Sequence, residues 1–142
     1  VRIFLDANIL VSVLCNEYPL FTYSSRVLSL VDSNRFEVYT SPLCLAIAYY
    51  FAEKKSGKAL ARKKISILCS KMNITTMDSQ VVQHATMNKS ITDFEDGLQY
   101  YSALGSKCKC IVTQDVGYYY FSDLEVLPAE LFLLKYVVKK GK

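Results

Sequence analysis

The sequence predicts an α/β fold, a three-layer α/β/α sandwich built on a mostly parallel five-stranded sheet. Three observations carry this. Five short runs rich in branched and aromatic residues are spread along the chain. Stretches with helical spacing separate them, long enough for crossover connections, which join parallel strands. The first run, "VRIFL", has the character of a strand covered on both faces, as central strands of such sheets are.

"VRIFL" ends at Asp6. Residues 8 to 16 and about 20 to 33 then carry helical spacing, with Val27, Leu28, Leu30 and Val31 forming an apolar stripe. "FEVYTS" reads as the second strand, closed by Ser41 and Pro42; Pro42 suits the first turn of a helix running to about Glu53. "KSGK" breaks that helix. "KALARKKISILCSKM" resumes the period, with Leu60, Ile65 and Leu68 on one side and a basic face on the other. "ITTM" is the third strand, followed by a helix over about 79 to 87 and another from Asp93 to Leu104. "CKCIVTQ" is the fourth strand and "LEVL" the fifth. Pro128 opens a last helix through "AELFLLKYVV".

The 142 residues suffice for one domain, 1–142, with a real core, and 51% hydrophobic residues is ordinary for a globule. Lys and Arg number 17 against 13 Asp and Glu, a mild lean toward anionic partners. The five cysteines are odd in number and form no CxxC pair, so they indicate free thiols in a reducing cytosol rather than a disulfide framework or a zinc site. Cys108 and Cys110 are two apart, so if they lie in a strand both sulfurs face one side, as core filler rather than as ligands. No run reaches the roughly eighteen apolar residues of a membrane span. Asp6 and Asn8 interrupt the N-terminal apolar run, which argues against a signal peptide; the chain is expected to be cytoplasmic and to start directly in its first strand, with little preceding the domain. The five glycines make no GxGxxG or P-loop pattern, so nucleotide binding through those loops is unsupported.

In an open parallel sheet, function gathers outside the carboxyl ends of the strands. Asp6 stands at that end of strand one and Asp115 just past strand four. Asp96 begins its helix at the same edge, because that helix runs back down before strand four. Three acids distant in sequence are therefore predicted on one rim. Like charges so gathered repel unless a cation lies between them, and a hard divalent ion such as Mg²⁺ or Mn²⁺, bound by oxygen, is the natural filler. Such an ion binds phosphate oxygens and activates water, the chemistry of a metal-dependent nuclease.

Each acid also has a structural reading. Asp6 can cap the helix behind it. Asp93 sits in a first turn that favours acids through the helix dipole, and shares a face with Asp96. "TDFE" at 92 to 95 matches a capping box between Thr92 and Glu95.

"IFLDANIL", "DFEDGLQYYSAL", "CIVTQD" and "LEVLPAELF", in this order, resemble the PIN domain, a family of metal-dependent ribonucleases that includes VapC-type toxins. The resemblance spans essentially the whole chain. It implies an Mg²⁺ or Mn²⁺ endoribonuclease in which Asp6, Asp96 and Asp115 hold the ion, Asn8 and Thr113 orient ligands or water, and Asp93 is a fourth acid. It further implies RNA as substrate, in-line attack of water on a phosphodiester leaving a 3′-hydroxyl, an antitoxin protein as partner, and a homodimer away from membranes. Ser41, at the end of strand two, either supports ligands by hydrogen bonding or caps the next helix.

The sequence departs from the family at two places, the first of them an acidic position. The family carries a Glu early in the helix after strand two, and the matching residue in "SPLCLAIAYYF" is Ile47. Glu53 is no substitute, because six residues further on it points about 240° around the helix axis. One ion can be held by one or two carboxylates; two ions are not expected. The alternative reading is a catalytically degenerate PIN-like module that binds RNA or a protein partner without cleavage. Tyr118 and Tyr119 replace a family Asp-Phe pair and either stack bases or pack the loop against the last helix. Lys58, Arg62, Lys63 and Lys64 either meet RNA phosphates or form a solvated face. His84, lacking an acid or nucleophile nearby in sequence, is given no catalytic role.

Overall fold

A computed structural model describes residues 1–138 of the chain. Its strands are β1 (Arg2–Leu5), β2 (Glu37–Thr40), β3 (Asn73–Ile74), β4 (Cys110–Val112) and β5 (Glu125–Leu127). Its helices are α1 (Ala7–Leu14), α2 (Leu20–Leu28), α3 (Pro42–Ser56), α4 (Lys58–Lys71), α5 (Ser79–Met87), α6 (Phe94–Gly105) and α7 (Ala129–Leu133). A 3₁₀ turn extends α2 over Ser29–Asp32, another spans Val116–Tyr119, and α7 passes into a π-type helix at Leu134–Val138.

Every strand pairing is parallel and the order is β3-β2-β1-β4-β5, so the predicted three-layer architecture is the one observed. β1 is central, with Phe4 opposite both Tyr39 and Ile111. Ile3, Phe4 and Leu5 are fully buried, which is what the uninterrupted apolar run requires of a strand covered on both faces. From β1 the chain builds outward on one side through β2 and β3, then crosses to the other side for β4 and β5. The switch between β1 and β4 opens a crevice at their carboxyl ends, where parallel sheets collect function.

Helices α1 and α3 pack together, with α2 beside the first and α4 beside the second; α7 packs on α2, and α5 on α6. Two lysines tie down the end of α1. Lys64 Nζ donates to the carbonyl of Leu14 at 2.8 Å and Lys55 Nζ to that of Cys15. These cations meet last-turn carbonyls that the helix leaves without partners. Lys64 thus leaves the basic run proposed for RNA, while Lys58, Arg62 and Lys63 stay exposed.

Several boundaries differ from the sequence reading. The third strand is Asn73–Ile74, not "ITTM": Thr75 still donates its N–H to Thr40 at 2.8 Å, but its hydroxyl turns to Ser102, ending the strand. α3 runs on to Ser56 and stops at Gly57, whose φ of 85° suits glycine. The capping box is absent. Asp93 is the N-cap of α6, its Oδ1 accepting the N–H of Glu95 at 2.9 Å, while the Thr92 hydroxyl lies 3.4 Å from that of Tyr120. Among the described residues, no helix is long and apolar enough to cross a membrane.

Candidate functional site

Asp6 leaves β1 in extended conformation and caps α1, so the capping reading of this residue holds. The residue is 8% exposed and its carboxylate is closely held. Oδ1 accepts the N–H of Ala7 at 2.8 Å and faces Cys44 Sγ at 3.7 Å. Oδ2 accepts the hydroxyls of Thr113 at 2.9 Å and Tyr119 at 3.0 Å. The direction of the Thr113 bond follows from its other partners. Its Oγ1 accepts from Asn8 Nδ2 and from the N–H of Asp115, both at 3.0 Å, so its single proton goes to Asp6. Burial holds the Cys44 thiol up at about 12 and raises Tyr119 as well, so both keep the protons they offer. A carboxylate has about four acceptor positions, and here all four are taken. Burial raises the Asp6 carboxyl above its usual range, the bonds from Ala7, Thr113 and Tyr119 pull it back, and Asp115 pushes it up again.

Asn8 joins the two strand ends. Besides Thr113, its Nδ2 reaches Asp115 Oδ2 at 3.2 Å, and its Oδ1 accepts the N–H of Gln114 at 3.1 Å. Asp115 is exposed. Asp6, Asn8, Asp96 and Asp115 line one cavity of about 370 Å³, with Glu17 and Glu95 adding charge and Val11, Leu20, Ile47 and Phe51 an apolar wall. Partial burial, then the charges of Asp93, Asp6, Glu95 and Asp115, push the Asp96 carboxyl up to about 7. Burial, Asp93 and Asp6 raise Glu95 in the same sense.

The predicted rim therefore exists, with Asp6, Asp96 and Asp115 around one hollow. The fit to a divalent ion is a separate matter. Among the described residues, no group of three or more His, Cys, Asp or Glu side chains is placed to hold a metal ion. Asp6 has no acceptor position left, and Ile47 brings a hydrocarbon to the wall where a fourth oxygen would serve. The donor set as it stands does not fit Mg²⁺ or Mn²⁺, which demand oxygen ligands at close range.

Asp93 caps α6 and reaches only the neighbouring hollow beside Asp96, Gly117 and Tyr118. Ser41 is a buried helix cap: it accepts the N–H of Cys44 at 2.9 Å and donates to Gln99 Oε1, away from the cavity. His84 stacks on Tyr101 with ring centroids 5.3 Å apart, outside the acidic cavity. Tyr118 is exposed, whereas Tyr119 is buried beside Phe121 with its hydroxyl on Asp6. Sequence reasoning missed that role of Tyr119, the thiol of Cys44 and the side chain of Glu95, which it assigned to a cap. The Glu95 position was open to view in the acid-rich "DFED"; the other two give no local signal.

Comparison with known proteins agrees with this architecture. The profile of the PIN domain matches residues 2–117. Ribonuclease VapC1 of Aquifex aeolicus (strain VF5) is 28% identical over 135 residues, covering 92% of each chain. VapBC2 from Rickettsia felis, solved bound to a DNA fragment from their promoter, superposes with a TM-score of 0.67 at 16% identity, covering 89% of this chain and 97% of that one. VapBC-1 from nontypeable Haemophilus influenzae gives 0.67 at 19% identity, covering 92% and 99%. At such identities the structural likeness speaks for the fold.

Proposed function

Because the chain belongs to the PIN domain family, we propose that it serves as a binding module of toxin–antitoxin type that engages its partner without cleaving RNA. The observation that carries this is Asp6. A ligand for a catalytic ion needs free lone pairs, and this carboxylate spends all of them on Ala7, Cys44, Thr113 and Tyr119. Ile47 in place of the family's Glu points the same way.

The chemistry of the cavity selects the partner. The charges of Asp6, Glu17, Glu95 and Asp115 repel a phosphodiester when no cation stands between them, while the wall of Val11, Leu20, Ile47 and Phe51 accepts hydrocarbon. A basic and apolar segment of a protein partner matches both. RNA would instead meet Lys58, Arg62 and Lys63 on α4, with the salt dependence such contacts bring.

A second reading, an Mg²⁺ or Mn²⁺ endoribonuclease, is supported by the placing of Asp6, Asp96 and Asp115 on one cavity and by the likeness to ribonuclease VapC1. It requires Asp6 to release Thr113 and Tyr119. The test titrates Mn²⁺ into the native chain and Asp6→Asn with labelled single-stranded RNA, and separately follows a labelled Arg/Leu-rich peptide by anisotropy. The proposal expects intact RNA in both proteins and salt-sensitive peptide binding that Asp115→Asn weakens. Cleavage that depends on Mn²⁺ and disappears in Asp6→Asn would establish the ribonuclease instead.

A further inference from the structure

We infer that Tyr119 occupies the place of an ion at Asp6: its hydroxyl, with that of Thr113, closes Oδ2, so that the aspartate pins the loop after β4 to the start of α1.

Tyr119 is the one buried residue of the Val116–Tyr119 turn, at 2% exposure, while Val116 and Tyr118 face solvent. Its ring stands 6.0 Å from Phe121, which in turn packs edge-on against Tyr100 at 5.3 Å. Tyr100 accepts the N–H of Asp123 at 3.2 Å, closing the group at its far end. Packed this way, the Tyr119 ring cannot swing clear of Asp6 without moving the aromatic group behind it.

On either side of the turn the chain is tied elsewhere, Gln114 and Asp115 to Asn8 and the Tyr120 hydroxyl to the carbonyl of Ser90, but the turn itself is held differently. Its backbone bonds are local, from Tyr118 to Asp115 at 3.0 Å and from Ser122 to Tyr119 at 2.9 Å. The 3.0 Å bond from Tyr119 to Asp6 spans 113 residues and ties this loop to the central strand. A buried carboxylate needs hydrogen bonds, and a buried phenol needs an acceptor; each supplies what the other lacks. An incoming ion would have to displace two hydroxyls, leave a buried phenol without its acceptor, and find hydrocarbon at Ile47 where it needs oxygen.

The inference deepens the non-cleaving reading and rests on it in holding the cavity to be free of a bound ion. Its test uses no RNA and no partner, so the two can fail separately. The first arm is a thermal-unfolding cycle of Asp6→Asn, Tyr119→Phe and the pair, in chelator. Each single variant should melt about 5 °C lower, and the pair scarcely lower than the worse single, since both remove the same bond. Additive losses overturn the inference while leaving the proposed function standing. Should Asp6→Asn not fold, amide exchange in Tyr119→Phe decides: the amides of residues 116–121 should exchange at least about tenfold faster than in the native chain, and unchanged rates overturn it.

The second arm uses Mn²⁺ alone, read by electron paramagnetic resonance. The native chain and Asp6→Asn should take up Mn²⁺ equally weakly, and Ile47→Glu combined with Tyr119→Phe should bind it at least about tenfold more tightly than the native chain. Native uptake that Asp6→Asn abolishes contradicts both this inference and the function it rests on. A folded double variant with no gain shows that Tyr119 and Ile47 are not what closes the site.

Discussion

Asp96→Asn is expected to stabilise the protein at pH 8 and to make no difference near pH 4. Burial and four neighbouring carboxylates raise the Asp96 carboxyl from its ordinary 3.8 to about 7. Between those values the folded chain holds a proton that the unfolded chain has released, so stability rises as pH falls through the window. Above pH 7 the folded state carries the full repulsion; below 3.8 both states are protonated and the contribution vanishes. Unscreened, the difference is worth about 4 kcal/mol. Asp96 is only part-buried, and solvent screening reduces this to about 1–2 kcal/mol. Asparagine has nearly the same shape and no charge at any pH, so the variant should melt about 3–6 °C above the native chain at pH 8. Melting both proteins by circular dichroism from pH 4 to 8, at low and high salt, gives the comparison. The gap should close as pH falls and shrink as salt rises. Parallel curves, or a variant less stable at pH 8, would refute the account of Asp96 as a crowded carboxyl.

Three further outcomes follow from the packing of the chain. Ser41→Ala removes the cap of α3 and leaves Gln99 Oε1 buried without its donor, which should lower stability by about 2–3 kcal/mol in urea unfolding. Gly57→Ala meets open space but forces φ 85° with ψ 166° on a residue that avoids it, so it should cost about 1–3 kcal/mol in the same assay. All five cysteines are free and Cys69 alone is exposed, so Ellman's reagent should label one thiol quickly in the native chain, none in Cys69→Ser, and five after unfolding; two fast thiols would contradict the packing.

The parts of this protein legible in its sequence are those set by local pattern. "VRIFL" announced a central strand because burial on both faces leaves no room for alternation, and the parallel topology then placed Asp6, Asp96 and Asp115 at one edge. That position 47 holds Ile, where the family resemblance leads one to expect Glu, was visible directly. What stayed hidden depends on contacts across the fold. Lys64 looked like one cation of a basic face, yet it serves a carbonyl 50 residues earlier. Tyr119 looked like an aromatic in a loop, and its acceptor lies 113 residues away. At α6, Thr92 and Asp93 are both good caps one residue apart, and only the backbone, extended at Asp93, chooses between them. β3 is a two-residue edge strand, too short to impose a period of its own.

Crowded carboxylates are a consequence of the topology, because strand ends on either side of the switch between β1 and β4 must both leave the sheet at the same crevice. An ion is one remedy for the repulsion. The structure holds three others: Asp6 is surrounded by four donors, Asp96 stays protonated to near neutral pH, and position 47 carries no charge at all. These act together. Each lowers the negative potential that would draw a cation in, and the donors around Asp6 also occupy the lone pairs a cation would use. Reversing one alone is therefore expected to do little: Ile47→Glu by itself adds a charge next to Asp96, raises that carboxyl further, and still leaves Asp6 closed. Only when the charge returns and Tyr119 withdraws its hydroxyl do repulsion and free oxygen coincide, and that is why the decisive variant must be a double one.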